Sequence, residues 1–126
     1  MPKLEKWHLL RILIKVCRQP HYKLCICICP KRLWFLFING DPPAGRRAKE
    51  LALEVNNFEV NRFPHDSFID TTSIQELPDD GRVEKALNDE KHLFGFISPS
   101  LRNRIIEAVR AHNVLKDDER NAILDE

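Results

Sequence analysis

The stretch HYKLCICICPKRLWFLFI, residues 21–38, decides the fold that we predict for this chain of 126 residues. Two runs, 22–29 and 33–38, are rich in apolar and aromatic residues, many of which favour strands. Both runs are apolar on both faces, which is typical of strands buried between two layers. Because only Pro30, Lys31 and Arg32 separate them, we expect an antiparallel hairpin.

The first of these runs contains three cysteines at every second position, Cys25, Cys27 and Cys29. The alternation of a strand places all three thiols on one face. Ligands at these positions would spread over about 13 Å, which is too far for one tetrahedral zinc ion. We therefore expect buried, reduced thiols that pack as small apolar side chains, with no metal and no cofactor. Reduced cysteines are typical of a reducing compartment.

The composition is that of one globular domain spanning residues 1–126. Hydrophobic residues make up 43% of the chain and charged residues 31%, as is ordinary for such a domain. The apolar run 9–16 is interrupted by Arg11 and Lys15 and is too short to span a bilayer. No small-residue cleavage site follows it. We expect no membrane segment, no signal peptide and a cytoplasmic location.

Four further segments are candidate strands. Residues 4–17 fit neither a helical nor a strand period, so helix and strand both remain open. Residues 51–55 favour a strand, although 48–53 could instead form a helical turn. Residues 57–63 and 68–72 are predicted strands because of their β-branched and aromatic content.

The C-terminal part favours helices. A short helix is predicted over 83–93, ended by Gly95, and Ser98 followed by Pro99 is the expected start of the next. One apolar stripe follows at helical spacing: Leu101, Ile105, Ala108, Val109 and His112. Acidic residues from Asp117 onward predict a second helix. The predicted class is α+β: a small, strongly bent antiparallel barrel over about 21–98 with helices over about 99–124.

The polar stretch PHDSFIDTTS, residues 64–73, is unusual in a segment that otherwise favours a strand. It could form a reaction or ligand site on the barrel edge, or it could provide turn and capping groups. Asp66 could form an Asx turn after Pro64, and His65 could be an exposed loop histidine. Asp70 could bond to Thr72 or to nearby amides. Both interpretations remain open from the residues alone.

Charge is distributed unevenly along the chain. Residues 1–32 carry eight basic side chains against Glu5 alone, a net charge of +7, and the remaining residues carry −6. Such a basic region can bind phosphate backbones or an acidic partner. Alternatively, it is a solvated face that pairs with the acidic remainder of the same chain.

From about residue 21 to residue 109, the order of segments resembles the MazF/PemK-like toxins of bacterial toxin–antitoxin pairs. The resemblance is carried by the apolar hairpin, the polar strand 65–70, the Gly-Phe-Ile-Ser segment at 95–98 and the helix at 101–111. It implies an SH3-like barrel that cleaves single-stranded RNA without a metal. It also implies a homodimer and an antitoxin protein as partner.

Metal-free cleavage of RNA requires a base, an acid and a cation. His65, Asp66 and Asp70 are the candidate base and acid. RNA-cleaving members of the family usually carry an Arg-Pro dipeptide after a Gly-rich loop, and this chain has none. Arg46, Arg47 or Arg32 could supply the cation. Arg46, beside Arg47 on a flexible loop, is the candidate catalytic residue.

Three residues are candidate RNA-binding cations: Lys31, Arg32 and Arg47. The missing Arg-Pro dipeptide and the charge of the first third support a second hypothesis. In that hypothesis the chain is a non-catalytic barrel that binds RNA or a protein partner through its basic N-terminal third. Trp34, Phe35 and Phe37 could stack on bases, but their apolar surroundings favour core packing.

Overall fold

The computed structural model describes residues 2–14, 20–55 and 67–125. The described strands are β1 (His8–Ile14), β2 (His21–Cys29), β3 (Trp34–Asn39), β4 (Leu53–Val55), β5 (Ser67–Ile69), β6 (Gln75–Glu76) and β7 (Leu93–Phe96). The described helices are α1 (Arg46–Leu51), α2 (Arg82–Leu87), α3 (Pro99–Ala111) and α4 (Asp117–Leu124).

All described strands join one antiparallel sheet in the order β4-β5-β3-β2-β1-β7, with β6 paired to β3. The predicted hairpin is confirmed, with Cys25 opposite Phe37 and Ile26 opposite Leu36. The sheet is strongly curled, which agrees with the predicted α+β class and bent antiparallel architecture.

The sheet separates two apolar clusters, because successive side chains of a strand point to opposite faces. The helix-side cluster takes Ile26 and Leu36, together with Leu101 and Ile105 of α3. The α2-side cluster contains side chains from the opposite face of β1, β2 and β3, together with Leu77 and residues of α2. Its buried members are Leu10, Ile12, Ile14, Cys25, Cys27, Phe35, Leu77, Val83, Ala86 and Leu87. The central strands are therefore buried on both faces, as predicted.

The prediction that three thiols share one face is wrong for Cys29. The pairing of β2 with β3 shifts by one residue between Cys27 and Cys29, so that Cys29 lies opposite Trp34. A bulge of this kind turns the following side chain to the other face. Cys25 and Cys27 are fully buried in the α2-side cluster, whereas Cys29 is partly exposed and packs against the helix-side cluster.

Tertiary pairing decides the segments that the sequence left open. Residues 8–14 of the ambiguous N-terminal run form β1, which pairs with β2 on one side and β7 on the other. In the loop region both alternatives occur in succession, since α1 ends at Leu51 and β4 begins at Leu53. The strand predicted at 57–63 lies outside the described residues.

Two predicted boundaries are wrong. The strand predicted at 68–72 ends at Ile69, because the Asp70 side chain accepts a hydrogen bond from the Thr72 backbone N–H at 2.9 Å and starts a turn. The helix predicted to end at Gly95 ends at Leu87. Gly95 instead lies within β7 with φ +81°, a conformation that glycine adopts without strain.

The C-terminal helices match their predicted start signals. Ser98 Oγ accepts a hydrogen bond from the Leu101 N–H at 3.1 Å, with Pro99 at the first helical position. This cap satisfies a donor that the helix itself leaves unpaired. Most of the predicted stripe faces the sheet: Leu101, Ile105, Val109 and His112 are buried, whereas Ala108 is partly exposed. In α4, Ile123 is the buried residue.

Candidate functional site

Among the predicted catalytic residues that the structure describes, Asp70 is the one that lines a groove. It lies directly after β5 and lines a groove of about 330 Å³ at one end of the sheet. We call this the Asp70 groove, and its lining residues are Ile14, His21, Lys23, Phe37, Asn39, Asp70, Ser73 and Gln75. The other two predicted acid–base residues, His65 and Asp66, lie outside the described residues.

The groove collects polar groups from the ends of several strands. His21 is the first residue of β2, Asn39 the last of β3, and Ile14 the last of β1. In an antiparallel sheet, the start of one strand lies beside the end of its neighbour, so these three residues lie at the same end of the sheet. His21 and Ile14 are register partners. A carboxylate, an imidazole and an ammonium group thus line one depression.

The cation of this groove is partly held by an aromatic ring. Lys23 Nζ lies 5.3 Å from the centroid of the Phe37 ring, within the range of a cation–π contact. Phe37 itself packs against the α2-side cluster. This contact positions the ammonium group while leaving it at the groove wall.

The Asp70 carboxylate also has a local structural role. Its Oδ1 accepts hydrogen bonds from the backbone N–H of Thr72 at 2.9 Å and from the Thr72 hydroxyl at 2.5 Å. The turn that the sequence offered as one interpretation of Asp70 is therefore present in the structure. Because a carboxylate has about four acceptor positions, the turn does not exhaust its capacity to act in the groove.

A buried polar pair lies beside this turn. Thr71 is fully buried and His112, the residue after α3, is 5% exposed. The Thr71 Oγ1 lies 3.2 Å from His112 Nε2 and 3.5 Å from the backbone oxygen of Leu51. His112 Nδ1 accepts from the Val114 N–H at 3.3 Å, so the ring proton resides on Nε2 and is donated to Thr71.

Burial lowers the pKa of His112 below its ordinary value of 6.5. A hydrogen bond with the Thr71 backbone raises this pKa, the charges of Arg47 and Arg120 lower it, and the charge of Asp70 raises it. These charges act on His112 from α1, α4 and the turn after β5. The neutral form of the imidazole is therefore the stable one at neutral pH.

The two arginines of α1 have different positions relative to this site. Arg46 has a side chain that is 94% exposed and lies 3.4 Å from Glu50 of the same helix. It does not line the Asp70 groove. Arg47 is also exposed, but its charge acts on buried His112. The structure therefore associates Arg47, rather than Arg46, with the neighbourhood of Asp70.

The cations Lys31 and Arg32 lie in the turn between β2 and β3, at the opposite end of these strands from His21 and Asn39. Arg32 Nη1 lies 3.2 Å from Asp118 Oδ2, and its guanidinium is 4.6 Å from the centroid of the Trp34 ring. Of the three predicted RNA-binding residues, Lys31 and Arg32 thus lie away from the Asp70 groove.

Part of the basic N-terminal region pairs with the C-terminal helix α4. Lys6 Nζ donates to the backbone oxygens of Ile123 and Asp125, where the carbonyl end of a helix attracts a cation. Arg32 pairs with Asp118 at the other end of α4. Arg32 therefore pairs with an acidic side chain of the same chain, Lys6 bonds to backbone oxygens of the same chain, and Lys23 lines the Asp70 groove.

His21 and Lys23 were not among the residues predicted for the site. Their signal in the sequence is weak: they are the polar start of an otherwise apolar strand. Their proximity to Asp70 follows from the pairing of β3 with both β2 and β5. Such long-range pairing is not encoded by local spacing.

In the described segments, no three His, Cys, Asp or Glu side chains are grouped so as to hold a metal ion. No helix in the same segments is long and apolar enough to cross a bilayer. Comparison of the chain with protein-family models and with the curated proteins finds no match.

Proposed function

We propose that this protein is a toxin-like endoribonuclease that cleaves single-stranded RNA without a metal, with the Asp70 groove as its reaction site. The observation that carries the proposal is the meeting of Asp70, His21 and Lys23 in one groove. Its volume of about 330 Å³ is within the usual range for a small-ligand site. The curled antiparallel sheet and the helix at 99–111 are compatible with the SH3-like barrel of the MazF/PemK-like toxins.

The three groups supply what the reaction requires. In the proposed reaction, the Asp70 carboxylate takes the proton of a ribose 2′-hydroxyl, and that oxygen forms a bond to the adjacent phosphorus. The bond from phosphorus to the 5′-oxygen breaks, and the His21 imidazolium donates a proton to this oxygen. The products are a 2′,3′-cyclic phosphate and a 5′-hydroxyl. Lys23 stabilises the negative charge that develops on the phosphate oxygens.

Lys23 replaces the missing Arg-Pro dipeptide in this proposal. The family's motif would supply a cation near the start of the barrel, and Lys23 is a cation of the second strand that lines the same groove as Asp70. The proposal extends to a cytoplasmic protein that forms a homodimer and is inhibited by an antitoxin protein, as the resemblance implies.

The test is cleavage of a fluorescent single-stranded RNA by the purified protein in the presence of EDTA. We expect Asp70→Asn, His21→Gln and Lys23→Gln each to lower the rate by about 10²-fold or more. Arg46→Gln is the matched control, because Arg46 is exposed and outside the groove, and it retains the wild-type rate. His65→Gln and Asp66→Asn test the other two candidate acid–base residues.

Two results would overturn this proposal. One is the absence of any RNA cleavage by wild-type protein, together with normal growth of a bacterial host in which the chain is induced. The other is equal cleavage by wild type and the three groove variants, which would indicate a contaminating nuclease. Mass spectrometry of the product ends separates a cyclic phosphate from hydrolysis by other routes.

A second candidate function is a non-catalytic barrel that binds RNA or a protein partner through residues 1–32. It is favoured by the net charge of +7 over residues 1–32 and by the lack of an Arg-Pro dipeptide, and Lys23 of this region lines the Asp70 groove. Binding of single-stranded RNA that weakens steeply with salt, without any cleavage, would support this candidate over the first.

A further inference from the structure

A second groove adjoins the Asp70 groove. It has a volume of about 470 Å³, and we call it the Arg11 groove; its lining residues are Arg11, His21, Tyr22, Lys23, Leu24, Ile38, Asn39, Gly40 and His92. Three residues line both grooves: His21, Lys23 and Asn39. The two depressions therefore meet at the same end of the sheet.

The Arg11 groove is basic. Its lining includes the Arg11 side chain and two histidines, and none of its described lining residues is acidic, although the Asp89 carboxylate lies 3.7 Å from His92. Lys23 also lines this groove, but its ammonium group lies over Phe37 on the other face of the sheet. The Arg11 guanidinium lies 5.5 Å from the centroid of the Phe94 ring, which fixes its direction. An arginine at the wall of a groove favours anionic ligands such as phosphodiesters.

An aromatic ring stands at the wall of the same groove. Tyr22 is 51% exposed. Its ring lies 4.8 Å from that of His92, at an angle of 54°. A ring supported on one side and open on the other can stack with a nucleobase, and such stacking is tolerant of sequence.

The two grooves open on different faces of the sheet. Arg11 rests on Phe94, which packs against the helix-side cluster, whereas Lys23 rests on Phe37, which packs against the α2-side cluster. A nucleic-acid strand that occupies both grooves must bend around the end of the sheet, where His21 and Asn39 lie. A flexible single strand can bend in this way, but a stiff duplex cannot.

We propose that the Arg11 groove binds the nucleotide next to the cleaved phosphate, with its base stacked on Tyr22 and its phosphate held by Arg11. This inference rests on the proposed function, because it takes the Asp70 groove as the site of cleavage. It specifies the substrate as an unpaired, bendable strand and explains why duplexes would be excluded.

The test separates binding from cleavage by using a single-stranded DNA oligonucleotide, which lacks the 2′-hydroxyl and cannot be cut by the proposed reaction. We expect Tyr22→Ala to weaken its binding about tenfold in fluorescence anisotropy, and Tyr22→Phe to leave binding close to wild type. Val114→Ala is the control, since Val114 is an exposed apolar residue (44%) outside both grooves.

Arg11→Gln should weaken binding and reduce the slope of log affinity against log salt by about 0.7, as for the loss of one phosphate contact to a single strand. Removing bases from the oligonucleotide should abolish the difference between wild type and Tyr22→Ala. A duplex of the same sequence should bind at least tenfold more weakly than the single strand.

The outcomes distinguish this inference from the proposed function. If binding depends on Tyr22 and Arg11 but RNA is not cleaved, the proposed nucleotide site is supported and the proposed nuclease activity is rejected. If RNA is cleaved but Tyr22→Ala binds the oligonucleotide as tightly as wild type, the nuclease activity is supported and the nucleotide site is rejected. Equal affinity for duplex and single strand, or no binding of either, also overturns the nucleotide site.

Discussion

Thr71 and His112 are both buried and meet with 3.2 Å between the threonine hydroxyl and Nε2 of the imidazole. The pair joins the end of α3 to the turn after β5, and the Thr71 hydroxyl also reaches the Leu51 carbonyl at the end of α1. Buried polar groups are stable only when hydrogen-bonded. This pair therefore fixes the turn that carries Asp70 relative to two helices.

The stability of the protein should fall as the pH drops below 6.5. Burial is the main cause that lowers the pKa of His112 and of His8 from the ordinary value of 6.5, so the unfolded chain binds protons more readily than the folded one. The contribution of these neutral histidines to stability is then fully present above pH 6.5. It declines as the pH falls toward the lower pKa of the folded state. Thermal unfolding at pH 7.5 and 5.5 measures this.

The variant His112→Gln should reduce that pH dependence and lower the melting temperature at pH 7.5. His8→Gln removes the other buried histidine whose pKa burial lowers, and it should also reduce the pH dependence. An unchanged difference between the two pH values in His112→Gln would contradict the assignment of this effect to the buried imidazole.

Replacing Thr71 with Val should lower the free energy of unfolding by about 1–3 kcal/mol, because the buried His112 N–H loses its acceptor. Thr71→Ser keeps the hydroxyl and should cost less. Chemical denaturation in urea compares the two variants. If Val and Ser are equally tolerated, the hydrogen bond has no net effect on stability.

The three thiols of β2 should differ in reactivity. Burial raises the pKa of Cys27 to about 12 and also raises the pKa of Cys25, and both residues are inaccessible. Cys29 is partly exposed. In a Cys17→Ser background, thiol titration at pH 8 should label Cys29 first, and the other two only on unfolding. Rapid labelling of all three would contradict the burial of this strand.

Substitutions at Cys27 should follow its apolar surroundings. Cys27→Val preserves an apolar side chain of similar size and should cost less than about 1.5 kcal/mol. Cys27→Asp should unfold the protein, since it buries a carboxylate without a partner. Cys29→Asp is the matched control, because a partly exposed position can hydrate the charge. Circular dichroism after purification distinguishes folded from unfolded variants.

Ser98→Ala should destabilise the protein by about 1 kcal/mol, because the Leu101 N–H at the start of α3 loses its side-chain acceptor. Ser98→Asp should retain most of the stability, since aspartate also caps helices and is favoured at their positive end. Thermal melts of both variants measure the difference. Equal melting temperatures for wild type and Ser98→Ala would exclude a stabilising cap.

The parts of the fold that the sequence predicted are those governed by local or alternating patterns. The hairpin of β2 and β3 follows from two apolar runs joined by a short turn, and α3 follows from its Ser-Pro start and apolar stripe. For Asp70, the sequence indicated both a turn and a site. The turn is present, since the Asp70 carboxylate bonds to Thr72, and Asp70 also lines the groove in which we propose the site.

The sequence by itself determined the buried hairpin, the N-terminal cap of α3 and the apolar character of Cys25 and Cys27, since each depends on neighbours within a few residues. Tertiary structure decided that residues 8–14 form a strand, because β1 is held by β2 and β7 on its two sides. It also decided the bulge that turns Cys29 and the meeting of His21, Lys23 and Asp70. These features arise from pairing between distant segments, whose register depends on the whole sheet.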